Sequence, residues 1–307
     1  MISYYTKFPP NFFPLTAKWG LFCVLLMPTL AYSQERVLAV MSSHGKIYQD
    51  FYSRLEDKLH KNITITQVSF SDINNEILNH HNFIVSIGYK AAKTVSKHKT
   101  KKTIIYSLIP DNESLRTSIP CKKITCYKTY INQPINRYTK LFKALFPKGK
   151  NLVLATTKAN TRNSQQVKTA SENIGIIYNE IRIRQQNITR TFVNKLNNND
   201  VLLALPNPDI YNANNAKSII LSTYHANVPI IAYSKSFAKA GALISLYSSI
   251  DNIADKTAKI VNAIIQDGPQ KQKEYYPDNF MIEINFAVAR SLNINIDSES
   301  VIKRKIK

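Results

Sequence analysis

The chain has 307 residues, a formal net charge of +21 and 44% hydrophobic residues. That length suits one large domain or two ordinary lobes, and the apolar fraction excludes a disordered chain. Seven glycines and three cysteines exclude collagen-like, glycine-rich and disulfide-scaffold architectures.

The chain opens with what reads as a leader. Lys7 and Lys18 precede an apolar run from Trp19 to Met27, and Ala31 and Ser33 are small residues placed for cleavage. Residues 1–33 are therefore predicted to be a secretory signal peptide, with a retained anchor as the alternative. The run is shorter than the ~20 residues a bilayer span needs, so the mature chain is expected in the periplasm and in solution.

Beyond the leader, strand and helix patterns alternate. Arg36 to Met41 is an apolar run, followed by a helix pattern in which Tyr48, Phe51, Tyr52, Leu55 and Leu59 recur at three- and four-residue steps. Ile63 to Phe70 alternates as a strand, with Ser71-Asp72 able to cap a short helix. Asn82 to Ile87 is the next strand, closed by Gly88. Ala91 to Val95 reads as helix and Thr103 to Ser107 as strand.

The second half repeats this grammar. Helices are predicted over Pro134 to Phe146, Arg162 to Ile174, Asn187 to Leu196, Asn214 to His225 and Asn252 to Gln266. Strands are predicted over Asn151 to Ala155, Ile176 to Tyr178, Val201 to Leu205, Val228 to Tyr233 and Ala242 to Leu246. Strands separated by helices imply crossover units, so the fold class is α/β with two doubly wound, mainly parallel sheets.

After removal of the leader only Cys121 and Cys126 remain, close enough for a local disulfide in an oxidising compartment. A half metal site or two free thiols are the alternatives. The positive charge is spread along the chain, with runs only at Lys97 to Lys102 and Lys303 to Lys307. No aromatic and arginine platform accompanies them, so nucleic acid is not an expected partner. Lys303-Arg304-Lys305 reads as a frayed tail.

In such a fold small molecules bind beyond the carboxyl ends of the strands, where helix amino ends offer unpaired N–H groups. The candidates are Ser42, Ser43 and His44; Ser86, Gly88 and Tyr89; Ser107; Lys158, Asn160 and Asn163; Asn207; and Tyr233 with Ser234. Rich in hydroxyls, amides and tyrosine, the set suits a hydrogen-bonding cleft better than acid/base catalysis. Each residue has an equally good reading as a turn or cap.

No phosphate-binding loop, dinucleotide fingerprint or nucleophile elbow is present in the sequence. His80-His81 lacks the four-residue spacing that puts two imidazoles on one helix face, and reads as a surface turn. No cofactor or metal is expected. His44 paired with a serine is the one catalytic alternative, in an exported α/β enzyme.

Val201 to Pro208 with Tyr211-Asn212, Val228 to Ser234, Phe237 to Leu243 and Asn285 to Leu292 together resemble the ABC-transporter substrate-binding proteins with amino-acid-like ligands. Ile87-Gly88-Tyr89-Lys90-Ala91-Ala92 is similar to another element of that family, with Tyr89 where threonine is usual.

The resemblance implies a type I periplasmic-binding-protein fold, two lobes joined by three crossings that close on a ligand. The first lobe would take residues 34–131 plus 251–307, and the second 132–250. Crossings would fall near Lys128 to Asn132, Leu246 to Asp251 and Tyr275 to Phe280. The implied partner is an ABC permease, or alternatively a membrane receptor kinase or cyclase reading the closed form. A monomer that meets the membrane only through that partner is expected. Arg290 is expected to form a structural ion pair, and Gly241 to permit a close approach.

Overall fold

The computed structural model describes residues 34–98, 100–119, 121, 125–157, 161–183 and 188–307. The leader at 1–33, and Lys158 and Asn160 among the candidate ligand residues, lie outside the described residues.

The first sheet is built from β1 (Glu35–Met41), α1 (Lys46–Lys58), β2 (Ile63–Ser69), α2 (Asn75–Asn79), β3 (Phe83–Ile87), α3 (Tyr89–Val95), β4 (Thr103–Ile109), α4 (Glu113–Ser118) and β5 (Cys126–Tyr130). The chain then enters α5 (Ile135–Leu145), β6 (Asn151–Thr156), α6 (Thr161–Glu172), β7 (Tyr178–Arg182), α7 (Ile188–Lys195) and β8 (Asp200–Leu203). It continues through α8 (Ala216–His225), β9 (Ile230–Ala232), α9 (Lys235–Ala240) and β10 (Ile244–Tyr247). It returns as α10 (Ile250–Asp267) and β11 (Glu274–Tyr275), and leaves again as β12 (Met281–Ile284), α11 (Phe286–Ser291) and α12 (Glu299–Ile306).

The sheets are ordered β11-β5-β4-β3-β1-β2 and β12-β10-β9-β8-β6-β7. Every neighbour pair is parallel except β10 with β12. Parallel strands need crossover helices, and helices cover both faces of each sheet, so the strands are buried on two sides and read as continuous apolar runs. Leu152, Val153, Leu154 and Ala155 of β6 illustrate this, facing two different cores in turn.

The helices bury one stripe each. Phe51 and Leu55 of α1 are fully covered and pack with Ile253, Ala254 and Val261 of α10 against the first sheet. Burying a side chain of that size stabilises by ~1.5–3 kcal/mol. On the other face Ala91, Ala92 and Val95 of α3 and Leu115 of α4 pack on Ile84, Ile104 and Tyr106.

Three expectations are corrected. Lys128 to Asn132 is not simply a crossing: Cys126 to Tyr130 is the interior strand β5, all five of its residues buried. Lysine and threonine at Lys128 and Thr129 disguise it, because buried strands normally lack them. Next, residues 281–307 join the second sheet and not the first. β12 pairs antiparallel with β10, and Ala289, Ile302 and Ile306 enter the second core. Finally, Lys303-Arg304-Lys305 is no frayed tail. Ile302 and Ile306, four residues apart, are each 1% exposed and anchor α12, with Lys303 and Lys305 paired outward to Glu299 and Asp297.

The second strand pattern of the second half also shifts. The strand runs from Tyr178 to Arg182, and Ile176 precedes it as a core residue. Polar residues dominate this edge strand, which hides its alternation. Cys121 and Cys126 form a disulfide with Cα atoms 5.8 Å apart, tying the end of α4 to β5. The His pair closes α2, where His80 is the C-cap and the His81 ring Nδ1 lies 2.9 Å from the Ile77 carbonyl.

Candidate functional site

The chain passes between the two sheets through residues 131–134, 248–249 and 276–280. Gln133 ties all three passages together. Its side-chain amide donates to the Ser248 hydroxyl at 2.6 Å and to the Asn279 carbonyl at 3.4 Å, and its oxygen accepts from Arg137. The Arg137 guanidinium also donates to the Pro277 and Asp278 carbonyls and stacks 4.6 Å from the Phe280 ring centre. Tyr138 donates to the Leu246 carbonyl at 2.9 Å. The three segments are thus fixed to one another at a single node.

Adjoining this node, through Ser248, lies a hollow of about 460 Å³. Ile47, Tyr48, Leu108 and Ile253 come from the first sheet's side, and Pro206, Tyr233, Ser234 and Lys235 from the second. Ile131, Asn132, Tyr247, Ser248 and Ile250 come from the passages and their flanks. Its walls are apolar and aromatic, with a few amide, hydroxyl and ammonium groups, the usual make-up of a small-molecule site. Leu108 adopts a left-handed backbone, φ 55°, where the β4–β5 register breaks. Such strain in a non-glycine residue is typical of ligand-contacting segments.

Of the sequence candidates, Tyr233 and Ser234 line this hollow. Tyr233 follows β9 directly and packs against Tyr211 and Phe237, with ring centres 6.5 and 5.6 Å away. Burial pushes its phenol pKa up, so it stays a neutral hydroxyl. Ser234 is the N-cap of α9, accepting from the Phe237 N–H. Asn207 makes the turn after β8: its side-chain oxygen accepts from the Asp209 N–H at 3.1 Å and its carbonyl from Ile210 and Tyr211.

The remaining described candidates are placed elsewhere. The Ser42 hydroxyl accepts from the Ala91 N–H at 2.8 Å, pinning the end of β1 to α3. Gly88 sits at φ 91°, and a Cβ there would lie 2.6 Å from the Tyr48 ring and 2.7 Å from the Ser42 hydroxyl. The Ser107 hydroxyl is buried against Thr257 of α10 at 2.7 Å. Ser86 is fully buried within the sheet. Ser43, which accepts from Gly45, His44 and Tyr89 are exposed, and Asn163 is buried in the first turn of α6.

Tyr48, Leu108, Asn132, Lys235, Tyr247 and Ser248 were not singled out by sequence. Tyr48 reads equally well as a core position of α1. Asn132, Tyr247 and Ser248 fall in the expected crossings, but no motif in the sequence marked them as lining a site; Leu108 and Lys235 lie at a strand end and a helix start. Asn132 has one available signal, a polar residue directly after a strand; its oxygen accepts the Asp111 N–H at 2.7 Å. Among the described residues no group of three His, Cys, Asp or Glu could hold a metal, and no helix is long and apolar enough to cross a membrane.

Two sheets with a hollow between their strand ends narrow the family, and the sequence decides it. Residues 55–307 match the family of the ABC transporter substrate binding protein. The chain belongs to this family. Its members are substrate-binding proteins, not enzymes, and the fold is type I periplasmic-binding-protein-like, as its solved neighbours confirm. One neighbour of this substrate-binding protein is the ligand-free, open structure of CD0873, a substrate binding protein with adhesive properties from Clostridium difficile. It is 15% identical with a TM-score of 0.67, covering 86% of this chain and 97% of that one. A conserved domain protein from Vibrio cholerae is 18% identical with a TM-score of 0.59, covering 88% and 98%. An ABC domain in complex with L-Trp from Streptococcus pneumonia is 18% identical with a TM-score of 0.57, covering 88% and 98%. Among curated protein sequences none matches the substrate-binding protein.

Proposed function

We propose that this substrate-binding protein is exported to the periplasm, captures a small polar or amino-acid-like solute between its two lobes, and delivers it to an ABC permease. The observation that carries the reading is the hollow beside the Gln133–Ser248 bond, lined by residues from both sheets' sides and from the passages. Rotation about those passages would bring Tyr48 and Leu108 toward Pro206 and Tyr233, burying a solute. Contacts made only in the closed form shift the equilibrium toward it, and the closed shape is what a permease can recognise.

The aromatic walls give area and the amide and hydroxyl groups give direction, which suits an amino-acid-like molecule. The likeness to a structure holding L-Trp supports the same class. The protein acts as a monomer in this scheme, meeting the membrane only through its partner.

Mass spectrometry of solute carried through native purification, followed by thermal-shift measurement with the compound found, tests the reading. A specific small solute should be released on denaturation and should raise Tm on re-addition. A protein that carries none, and whose Tm no amino acid or small metabolite moves, contradicts it.

A further inference from the structure

Beside the hollow, on the α4 side of the first sheet, lies a cluster of charge that the reading above leaves unused. Asp111 accepts from Arg116 at 2.7–2.8 Å and from the Tyr276 hydroxyl, and Arg116 reaches on to Glu274. Both carboxylates are therefore engaged by one guanidinium. The cluster adjoins the hollow, because Asp111 is held by Asn132, which lines it.

Two further cations face these groups. Lys128 of β5 stands in register with Glu274 of β11 on one side and Tyr106 of β4 on the other. It is only 6% exposed, yet its ammonium forms no hydrogen bond or ion pair among the described residues. Arg162, from α6 on the second sheet, approaches from across the gap, 4.0 Å from Glu274. A lysine so far withdrawn from water and without a partner carries a desolvation cost, and three cations against two carboxylates leave one positive charge unbalanced.

We propose that Lys128, Arg116 and Arg162 form an oxyanion subsite at the β5–β11 edge of the cleft, taking a carboxylate or phosphate group of the captured solute. The subsite rests on the solute-binding reading and gives the solute its charge class. Lys128 supplies a compact buried charge and the arginines planar forks, the pairing that oxyanions select. Because Arg162 belongs to the second sheet, an anion held here also bridges the two lobes. Burial lowers the Lys128 pKa, with Arg116 and Arg162 acting in the same direction and Glu274 and Asp111 opposing them, and an arriving anion would raise it again.

The test titrates the full chain by calorimetry with free amino acids, their carboxamides, inorganic phosphate and phosphate monoesters. The bound compounds should carry a free carboxylate or phosphate, and an amino acid should bind at least tenfold tighter than its carboxamide; the acid and phosphate arms show which oxyanion is taken. Lys128→Met should abolish that tenfold preference while keeping the affinity for the carboxamide. Arg162→Gln, at an exposed position, should reduce the preference in the same direction and covers the case in which Lys128→Met fails to fold. Equal affinity for acid and carboxamide, or a preference untouched by Arg162→Gln and a folded Lys128→Met, overturns the subsite and leaves solute binding intact. Absence of binding by every compound overturns both.

Discussion

Gln133 and Ser248, 115 residues apart in sequence, are joined by a hydrogen bond of 2.6 Å between the first and second passages linking the sheets. The same amide reaches Asn279 on the third passage. Gln133 is 2% exposed, so its partners cannot be replaced by water when it is removed. Gln133→Ala should cost about 2 kcal/mol of stability and remove one of the three hydrogen-bond acceptors of Arg137. It should also widen the spread of lobe orientations, read as a larger radius of gyration in X-ray scattering. An unchanged radius and Tm would mean that the node does not set the hinge.

The aromatic wall can be probed without touching the hinge. Tyr233→Ala removes the ring that lines the hollow and should weaken solute binding at least tenfold, since aromatic contacts add about 1 kcal/mol beyond their buried area. Tyr233→Phe keeps the ring and should cost little unless the hydroxyl contacts the solute. Calorimetry on the two variants separates stacking from hydrogen bonding.

Gly88 and Gly149 share a left-handed backbone, at φ 91° and 92°, but not their surroundings. A Cβ at Gly88 would strike Tyr48 and Ser42, whereas one at Gly149 meets nothing within 4 Å. Gly88→Ala should therefore cost about 3 kcal/mol and Gly149→Ala about 1 kcal/mol. Gly88→Ala should also displace Tyr48 and weaken solute binding. Chemical denaturation of both variants checks the difference.

The C-terminal helix gives a sharp contrast. Ile302 and Ile306 are each 1% exposed in the second core, so deleting residues 299–307 should remove about 4 kcal/mol. A frayed tail would leave Tm unchanged. Lys-to-Gln changes at Lys303 and Lys305, whose ion pairs are exposed, should cost almost nothing.

Acid stability should depend on Glu274. Burial alone would raise its carboxyl, but the hydrogen bond and charge of Arg116 outweigh it and hold the pKa below the usual carboxylate range. A carboxyl depressed in the folded state contributes stability above its unfolded pKa, and that contribution disappears as pH falls through the folded value. Glu274→Gln should therefore lower Tm at pH 7 and flatten the loss of Tm below about pH 4.5, the ordinary carboxyl value. A parallel pH profile in the variant would assign acid sensitivity to other groups.

The fold was legible where burial on two faces leaves an apolar run, as at Val201 to Leu203, and where a helix stripe repeats, as at Phe51 and Leu55. It was hidden where the core accepts polar residues: Lys128 and Thr129 made β5 look like a linker. Ile302 and Ile306 carried too little apolar pattern to stand out among lysines. The site was half legible for the same reason. Of the residues that follow strands, Tyr233 and Ser234 line the hollow. Ser42 and Ser107, chosen by the same rule, spend their hydroxyls on Ala91 and Thr257. Which strand-end groups remain available depends on helix packing, and no local pattern records it.

X-ray scattering of the purified chain, with and without the solute that most raises Tm, goes straight to the question. Closure on a solute predicts a smaller radius of gyration in the bound state, and Tyr233→Ala should need more solute to reach it. A tightly bound solute that leaves the radius unchanged would contradict capture by movement of the two lobes.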